Sequence, residues 1–262
     1  MRVPKGPPPP LSGSLAGVAM ASVAAFFLAN YAYHYDVLPE SIRHSAVGYF
    51  LAVQLPFGVV LPSALLGVRA RQPGISLSDI GVWLSARDLI GALVAFVAGG
   101  FMVILAVGTR TFTPQGITRA GALFAQLLVA STAEVLVFAG LLLGLARHWC
   151  RRFGQWELPS AFAISALGFG VFHFTYPLPW ATWGFALGLT AVWISVNVAL
   201  ILTRTLLGAI MFNNCMAVIG FLQNDLTLPI SMRMSLAMSF VTLVIVLGLL
   251  IMLSQTPRHA AV

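Results

Sequence analysis

The chain has 262 residues, of which 59% are hydrophobic and only 8% are charged. A soluble domain is typically about 45–50% apolar and roughly 25% charged. This composition excludes a disordered chain, a collagen-like fibre and a disulfide-stapled scaffold, and it argues against a soluble enzyme. We therefore predict an all-α fold, a polytopic membrane helix bundle.

The formal net charge is +7, and the basic residues are scattered between apolar runs. In a soluble protein such a charge would indicate nucleic-acid binding. Basic residues in the loops of a membrane protein instead set its orientation. We therefore expect a lipid bilayer, and no nucleic acid, as the surrounding partner.

In chain order, residues 1–12 contain four consecutive prolines and predict a disordered, Pro-rich cytoplasmic tail. A single transmembrane domain is then expected over residues 13–256, with a second tail at 257–262. Within it, the apolar runs predict eight spans, at approximately 15–33, 45–68, 88–108, 120–146, 159–176, 181–203, 205–223 and 234–254.

The placement of basic residues predicts the orientation of these spans. If the N-terminus is cytoplasmic, ten of the fourteen basic residues lie on the cytoplasmic side: Arg2, Lys5, Arg69, Arg71, Arg87, Arg147, Arg151, Arg152, Arg204 and Arg258. The positive-inside rule therefore places both termini in the cytoplasm. Nearly all the cations are arginine, which favours a GC-rich bacterial source and hence a bacterial inner membrane.

One acid stands in the middle of a predicted span. Glu134 lies within the fourth apolar run, and an acid near a helix centre costs about 2.5–3.5 kcal/mol on insertion scales. The functional interpretation is a side chain that faces the interior of the bundle. The alternative is a protonated carboxyl that bonds a neighbouring helix and serves packing alone.

Two further polar positions accompany Glu134. His173 lies in the next span, and together the two side chains could hold and deprotonate a water molecule. Asn213 and Asn214 lie in the seventh span. Their side chains could either bond a neighbouring helix or donate to a developing oxyanion, and the sequence favours neither role over the other. We interpret Gln126, Ser131 and Asn197 as packing contacts and His34 as solvated.

The spacing of these positions has a counterpart in a known family. The run Glu134 to Gly140 matches the first Glu, the Phe and the Gly of the motif Glu-Glu-x-x-Phe-Arg-Gly. Phe169 and His173 match Phe-x-x-x-His in full. Over about residues 115–225 the chain resembles the CPBP (CAAX protease and bacteriocin-processing, or Abi) family of eight-helix intramembrane glutamic endopeptidases.

The resemblance implies a catalytic set of Glu134, His173 and Asn213. Glu134 and His173 would activate water, and Asn213, which stands where the family's third motif has His, would donate to the oxyanion. It implies no cofactor and no metal. Val135 replaces the family's second Glu and Ala139 replaces its Arg, so the site is degenerate.

Two functions from different classes follow from this degenerate site. The first is an endopeptidase that cleaves a membrane-associated peptide or protein substrate. The second is a catalytically inactive family member that acts as a membrane scaffold or as a partner-binding subunit of a membrane protein complex. A small transporter or pigment-complex subunit that uses Glu134 as a proton or ligand site is a further alternative.

Overall fold

The computed structural model describes residues 13–43, 45–71, 86–108, 113–226, 228 and 230–255. These residues form helices and short connections, with no strand among them. The predicted tails at 1–12 and 257–262 lie outside this range. The α-helices are α1 Gly13–His34, α2 Glu40–Arg43, α3 Ala46–Tyr49, α4 Leu61–Ala70, α5 Ala86–Val107, α6 Pro114–Glu134, α7 Leu143–Cys150, α8 Glu157–Phe172, α9 Trp183–Thr203, α10 Leu206–Gln223 and α11 Met232–Gln255.

Two π-helical stretches join consecutive α-helices into longer rods. Phe50–Val60 connects α3 to α4 and contains Pro56, which has no N–H to donate within the helix. Val135–Leu142 connects α6 to α7 and begins directly after Glu134. π-Helical turns are uncommon and occur frequently at functional sites, so the second stretch draws attention to Glu134.

Seven stretches of the described residues are long and apolar enough to cross a membrane. The longest, Pro114–Thr175, reverses direction within Arg151–Trp156, where Gly154 adopts φ 56° and ψ −118°. Its second arm returns along the first, because Ser165 Oγ donates a 2.9 Å hydrogen bond to the carbonyl of Phe138. Counting these two arms separately gives the eight passes that the apolar runs predict, and the chain is a multi-pass membrane helix bundle.

An aromatic cluster lies at the centre of the bundle. Phe138 is fully buried, and its ring contacts those of Phe26, Phe169, Phe172 and Trp193 at centroid distances of 6.4, 5.4, 5.2 and 5.7 Å. Helix association in lipid depends on such close packing, since lipid tails are as apolar as the side chains they replace. This cluster fixes α1, α8 and α9 around the π-helical stretch that follows Glu134.

The bundle has two chemically different ends. All five tyrosines lie at or near one end, which we call the tyrosine-rich face: Tyr31, Tyr33, Tyr35, Tyr49 and Tyr176. The other, which we call the arginine-rich face, carries Arg69, Arg71, Arg147, Arg151, Arg152 and Arg204. The eight passes bring the first described residue of α1 and the last of α11 to the arginine-rich face.

Candidate functional site

A cavity of about 890 Å³ lies inside the bundle. Residues of α6, α8, α9, α10 and α11 line it, and most of the lining is apolar. Polar side chains also reach it, among them Gln54, Gln126, Ser131, Glu134, His173 and Asn213. A large apolar space with a few convergent polar groups is typical of a ligand-binding site.

Glu134 is the last residue of α6, and its side chain lines this cavity. Its neighbours Ala133 and Val135 are fully buried, whereas Glu134 itself is half-buried because its carboxyl reaches the cavity. The side-chain amide of Asn213 donates a 3.0 Å hydrogen bond to Glu134 Oε2. Glu134 therefore faces the interior of the bundle and has a polar partner on another helix.

His173 lies in the short 3₁₀ turn that ends α8 and lines the same cavity. Its Nδ1 lies 2.9 Å from the carbonyl oxygen of Phe169, one helical turn earlier. A carbonyl only accepts, so Nδ1 carries the hydrogen, and in the neutral ring Nε2 keeps its lone pair. Among the described residues no hydrogen bond reaches Nε2, which leaves it able to accept one from a water.

Asn213 and Asn214 are adjacent in α10 but have different surroundings. Asn213 lines the cavity and bonds Glu134. Asn214 is fully buried, accepts a 3.0 Å bond from Ser131 Oγ and donates a 2.8 Å bond to the carbonyl of Phe124. Asn214 therefore ties α10 to α6, and Asn213 alone is placed to act in the cavity.

A hydrogen-bonded network that the sequence did not indicate adjoins the site. Tyr49 donates its only hydroxyl hydrogen to Asn30 Oδ1, so Tyr176 must be the donor in the 3.0 Å contact between the two phenols. Asn30 Nδ2 in turn donates a 2.7 Å bond to Thr175 Oγ1. These bonds hold the turn that carries His173 against α1 and against Tyr49, the last residue of α3.

The ring of His34 packs beside this network, and its expected solvation is wrong. Its ring packs against Tyr33, Tyr49 and Tyr176 at centroid distances of 5.1, 5.5 and 5.0 Å. Its Nε2 is buried and has no hydrogen-bond partner among the described residues. His34 is the last residue of α1, where the chain turns back toward Tyr49. This position places its ring inside the bundle.

The two positions where the family has a second Glu and an Arg are apolar and packed. Val135 is fully buried and Ala139 is 5% exposed. Both belong to the main core cluster, together with Phe138. No charged side chain therefore stands beside Glu134 on its own helix over this turn.

The cavity extends from Glu134 to the tyrosine-rich face. At that end it is lined by Trp180 and Thr182 before α9 and by Gln223 and Asn224 at the end of α10, the last two being exposed. Gly184 and Gly188 of α9 are also exposed. The residues that line the cavity stop short of the arginine-rich face, and we call its exposed lining at the tyrosine-rich end the cavity mouth.

In the part of the chain that the structure describes, no group of three or more His, Cys, Asp or Glu side chains could hold a metal ion. No family model, no curated protein and no solved structure matches the chain. The fold and the geometry of the cavity are therefore the basis for the function proposed below.

Proposed function

We propose that this protein is an intramembrane endopeptidase, a homologue of the CPBP family, that hydrolyses a membrane-associated peptide. The observation that carries the proposal is the meeting of Glu134, His173 and Asn213 in one cavity within the bundle. These residues come from α6, the turn after α8, and α10. Their chemistry is that of a general base, a second proton acceptor and an amide donor.

The reaction we propose is the attack of water on a peptide carbonyl. A water molecule donates hydrogen bonds to the Glu134 carboxylate and to His173 Nε2, and one of the two takes its proton as the oxygen attacks the carbonyl carbon. The carbonyl π electrons move to the carbonyl oxygen. When the C–N bond breaks, the bound proton passes to the departing amine nitrogen. Proton transfer by positioned groups contributes about 10²–10⁴-fold.

Asn213 has two roles in this proposal. One amide hydrogen holds Glu134, and a hydrogen bond to a charged group contributes about 1.5–3 kcal/mol. This bond favours the ionised carboxylate that a general base requires, in a chain segment where Ala139 has no charge to offer. The second amide hydrogen is the proposed donor to the developing oxyanion.

The cavity mouth indicates the side from which substrate enters. Since the arginine-rich face carries most of the basic residues, the positive-inside rule assigns it to the cytoplasm. The tyrosine-rich face then lies outside a bacterial inner membrane, and the peptide enters from there. Reporter fusions after Thr113 and after Phe153 test the assignment: the first should report the outside and the second the cytoplasm. The same sidedness at both would contradict it.

The buried Val135 and Ala139 favour a second candidate, an inactive family member that serves as a membrane scaffold or partner-binding subunit. In that case Glu134 and Asn213 form an interhelical bond that stabilises the bundle. The same cavity and exposed helix faces would then hold another membrane protein rather than a scissile peptide.

Glu134→Gln separates the two candidates. The full chain is placed in lipid nanodiscs with membrane-spanning peptides, and cleavage is followed by mass spectrometry. Gln keeps an oxygen that accepts the Asn213 bond, so the bundle should remain folded while cleavage falls at least about 100-fold. Glu157→Gln is the matched control, because that acid pairs with Arg147 at 3.0 Å, at the arginine-rich face, and it should cleave normally.

Two outcomes would decide against the endopeptidase. Undiminished cleavage by Glu134→Gln would show that the carboxylate is not the base. A wild-type protein that cleaves none of the peptides, but that co-purifies with a stoichiometric membrane partner whether or not Glu134 is replaced, would establish the scaffold instead.

A further inference from the structure

The guanidinium of Arg69 lies between two helices at the arginine-rich face, and none of the described acids pairs with it. Arg69 is at the end of α4, and its Nη1 packs onto α7 so closely that a Cβ added at Gly144 would meet it at 2.5 Å. Its Nε is buried, and the structure gives it no hydrogen bond among the described residues. No ion pair to Arg69 is present in that part of the chain either.

Other cations surround this guanidinium. Arg147 of α7 and Arg151, which follows it, both lie near enough to repel the charge of Arg69. The nearby acid, Glu157, is already engaged by Arg147 at 3.0 Å. Arg69 therefore keeps an excess positive charge beside the Arg147–Glu157 pair, in a place where its guanidinium is partly shielded from water. A shielded charge of this kind is costly unless an anion offsets it.

The segment next to these arginines has the composition of a membrane interface. Arg151–Trp156 reads Arg-Arg-Phe-Gly-Gln-Trp, and it exposes Phe153 at 46% and Trp156 at 62%. Trp149, one residue before α7 ends, is 41% exposed. Exposed aromatic rings among basic residues are characteristic of the headgroup level of a bilayer, where the phosphates of lipids lie.

We propose that Arg69, with Arg147 beside it, forms a binding site for the phosphate of an anionic phospholipid between α4 and α7. An arginine fork matches a phosphate group with parallel hydrogen bonds. Basic pockets between transmembrane helices bind anionic headgroups in this way. The missing side chain at Gly144 lets Nη1 of Arg69 approach α7 closely, and the acyl chains would extend along the exposed apolar surface of the bundle. The site is separate from the cavity at Glu134 and does not depend on its chemistry.

The experiment uses full-length protein purified in a neutral detergent. Its melting temperature is measured during titration with short-chain phosphatidylglycerol, with phosphatidylcholine or with inorganic phosphate. Phosphatidylglycerol should raise the melting temperature of the wild type, and the other two should do so far less. Arg69→Gln should bind phosphatidylglycerol at least about tenfold more weakly, the equivalent of one lost charge-assisted hydrogen bond.

Arg152→Gln is the matched control. It removes the same charge from the same face, but Arg152 is exposed and stacks over the Phe153 ring at 5.1 Å. This variant should keep the wild-type affinity for phosphatidylglycerol. Equal weakening in both variants would show diffuse attraction to a basic surface and overturn the site.

Two further measurements keep the proposal open to refutation. Without lipid, Arg69→Gln should melt no lower than the wild type, because it removes a charge that lacks a partner; a clearly lower melting temperature would mean that Arg69 has a structural partner and would contradict the proposal. If inorganic phosphate stabilises the wild type as well as phosphatidylglycerol does, the site binds free phosphate, and the lipid assignment is wrong.

Discussion

The side-chain amide of Asn213 in α10 donates a 3.0 Å hydrogen bond to the carboxylate of Glu134 in α6. The two residues are 79 positions apart in the chain. Their contact places one polar pair in the lining of a mostly apolar cavity. In both proposed functions this pair is central: it prepares a base in the enzyme, and it holds two helices together in the scaffold.

Asn213→Ala should lower the free energy of unfolding by about 1–3 kcal/mol, because it leaves a buried carboxyl without its partner. In an active enzyme it should also lower the rate of peptide cleavage, since both proposed roles of the amide are lost. Asn224→Ala is the control for stability, because the amide of Asn224 is exposed and bonds the carbonyl of Gly220 in its own helix. Unfolding in a mixed detergent checks the stability, and an unchanged stability of Asn213→Ala would count against the bond.

The neighbouring asparagine should behave differently. Asn214→Ala removes the bonds to Ser131 and Phe124 and should destabilise the bundle without changing cleavage by each folded molecule. A double-mutant cycle with Ser131→Ala isolates their mutual bond, for which hydrogen bonds between membrane helices average about 0.6 kcal/mol. A coupling of zero, or a selective loss of cleavage in folded Asn214→Ala, would contradict the assignment of Asn214 to packing.

The network around Tyr49 should position His173. Tyr49→Phe removes the hydroxyl that joins Tyr176 to Asn30, so the turn His173–Thr175 should exchange its amide hydrogens faster. Hydrogen exchange followed by mass spectrometry measures this, with Tyr31→Phe as the control because Tyr31 is 48% exposed. Equal exchange in the turn for wild type and Tyr49→Phe would show that the Tyr49 hydroxyl does not position His173, and that other contacts, such as the Asn30–Thr175 bond, hold the turn.

The sequence predicted the spans well, because a run of apolar residues long enough to cross a bilayer is rarely anything but a transmembrane helix. It did not predict the π-helical stretch after Glu134, since the hydrophobic pattern is the same whether a turn is α or π. Glu134, His173 and Asn213 line one cavity, as the order of the three motifs along the chain led us to expect.

The polar contacts were harder to predict, because they depend on how the helices rotate against one another. Asn197, interpreted as a packing contact, is fully buried, but both polar atoms of its amide lack a hydrogen-bond partner among the described residues. Asn30 gave the same signal as Asn213, a lone amide within an apolar run, but its partner Thr175 is 145 residues away. Arg69 has the sequence context of an ordinary loop arginine, and its close approach to Gly144 depends on how α4 and α7 pack.

Gly188 tests whether the cavity mouth is where a peptide enters. It lines the cavity in α9, and a Cβ added there would meet no atom within 4 Å, so Gly188→Leu should fold and fill part of the entrance. Because the leucine occupies cavity space but removes no group proposed to take part in the chemistry, KM for a membrane peptide should rise about tenfold while kcat stays near the wild-type value. Gly248→Leu is the matched control: Gly248 is also exposed and has equal free space, but it lies in α11 outside the cavity lining. Steady-state kinetics in nanodiscs measure both constants, and equal KM values for the two leucine variants would place the entrance elsewhere.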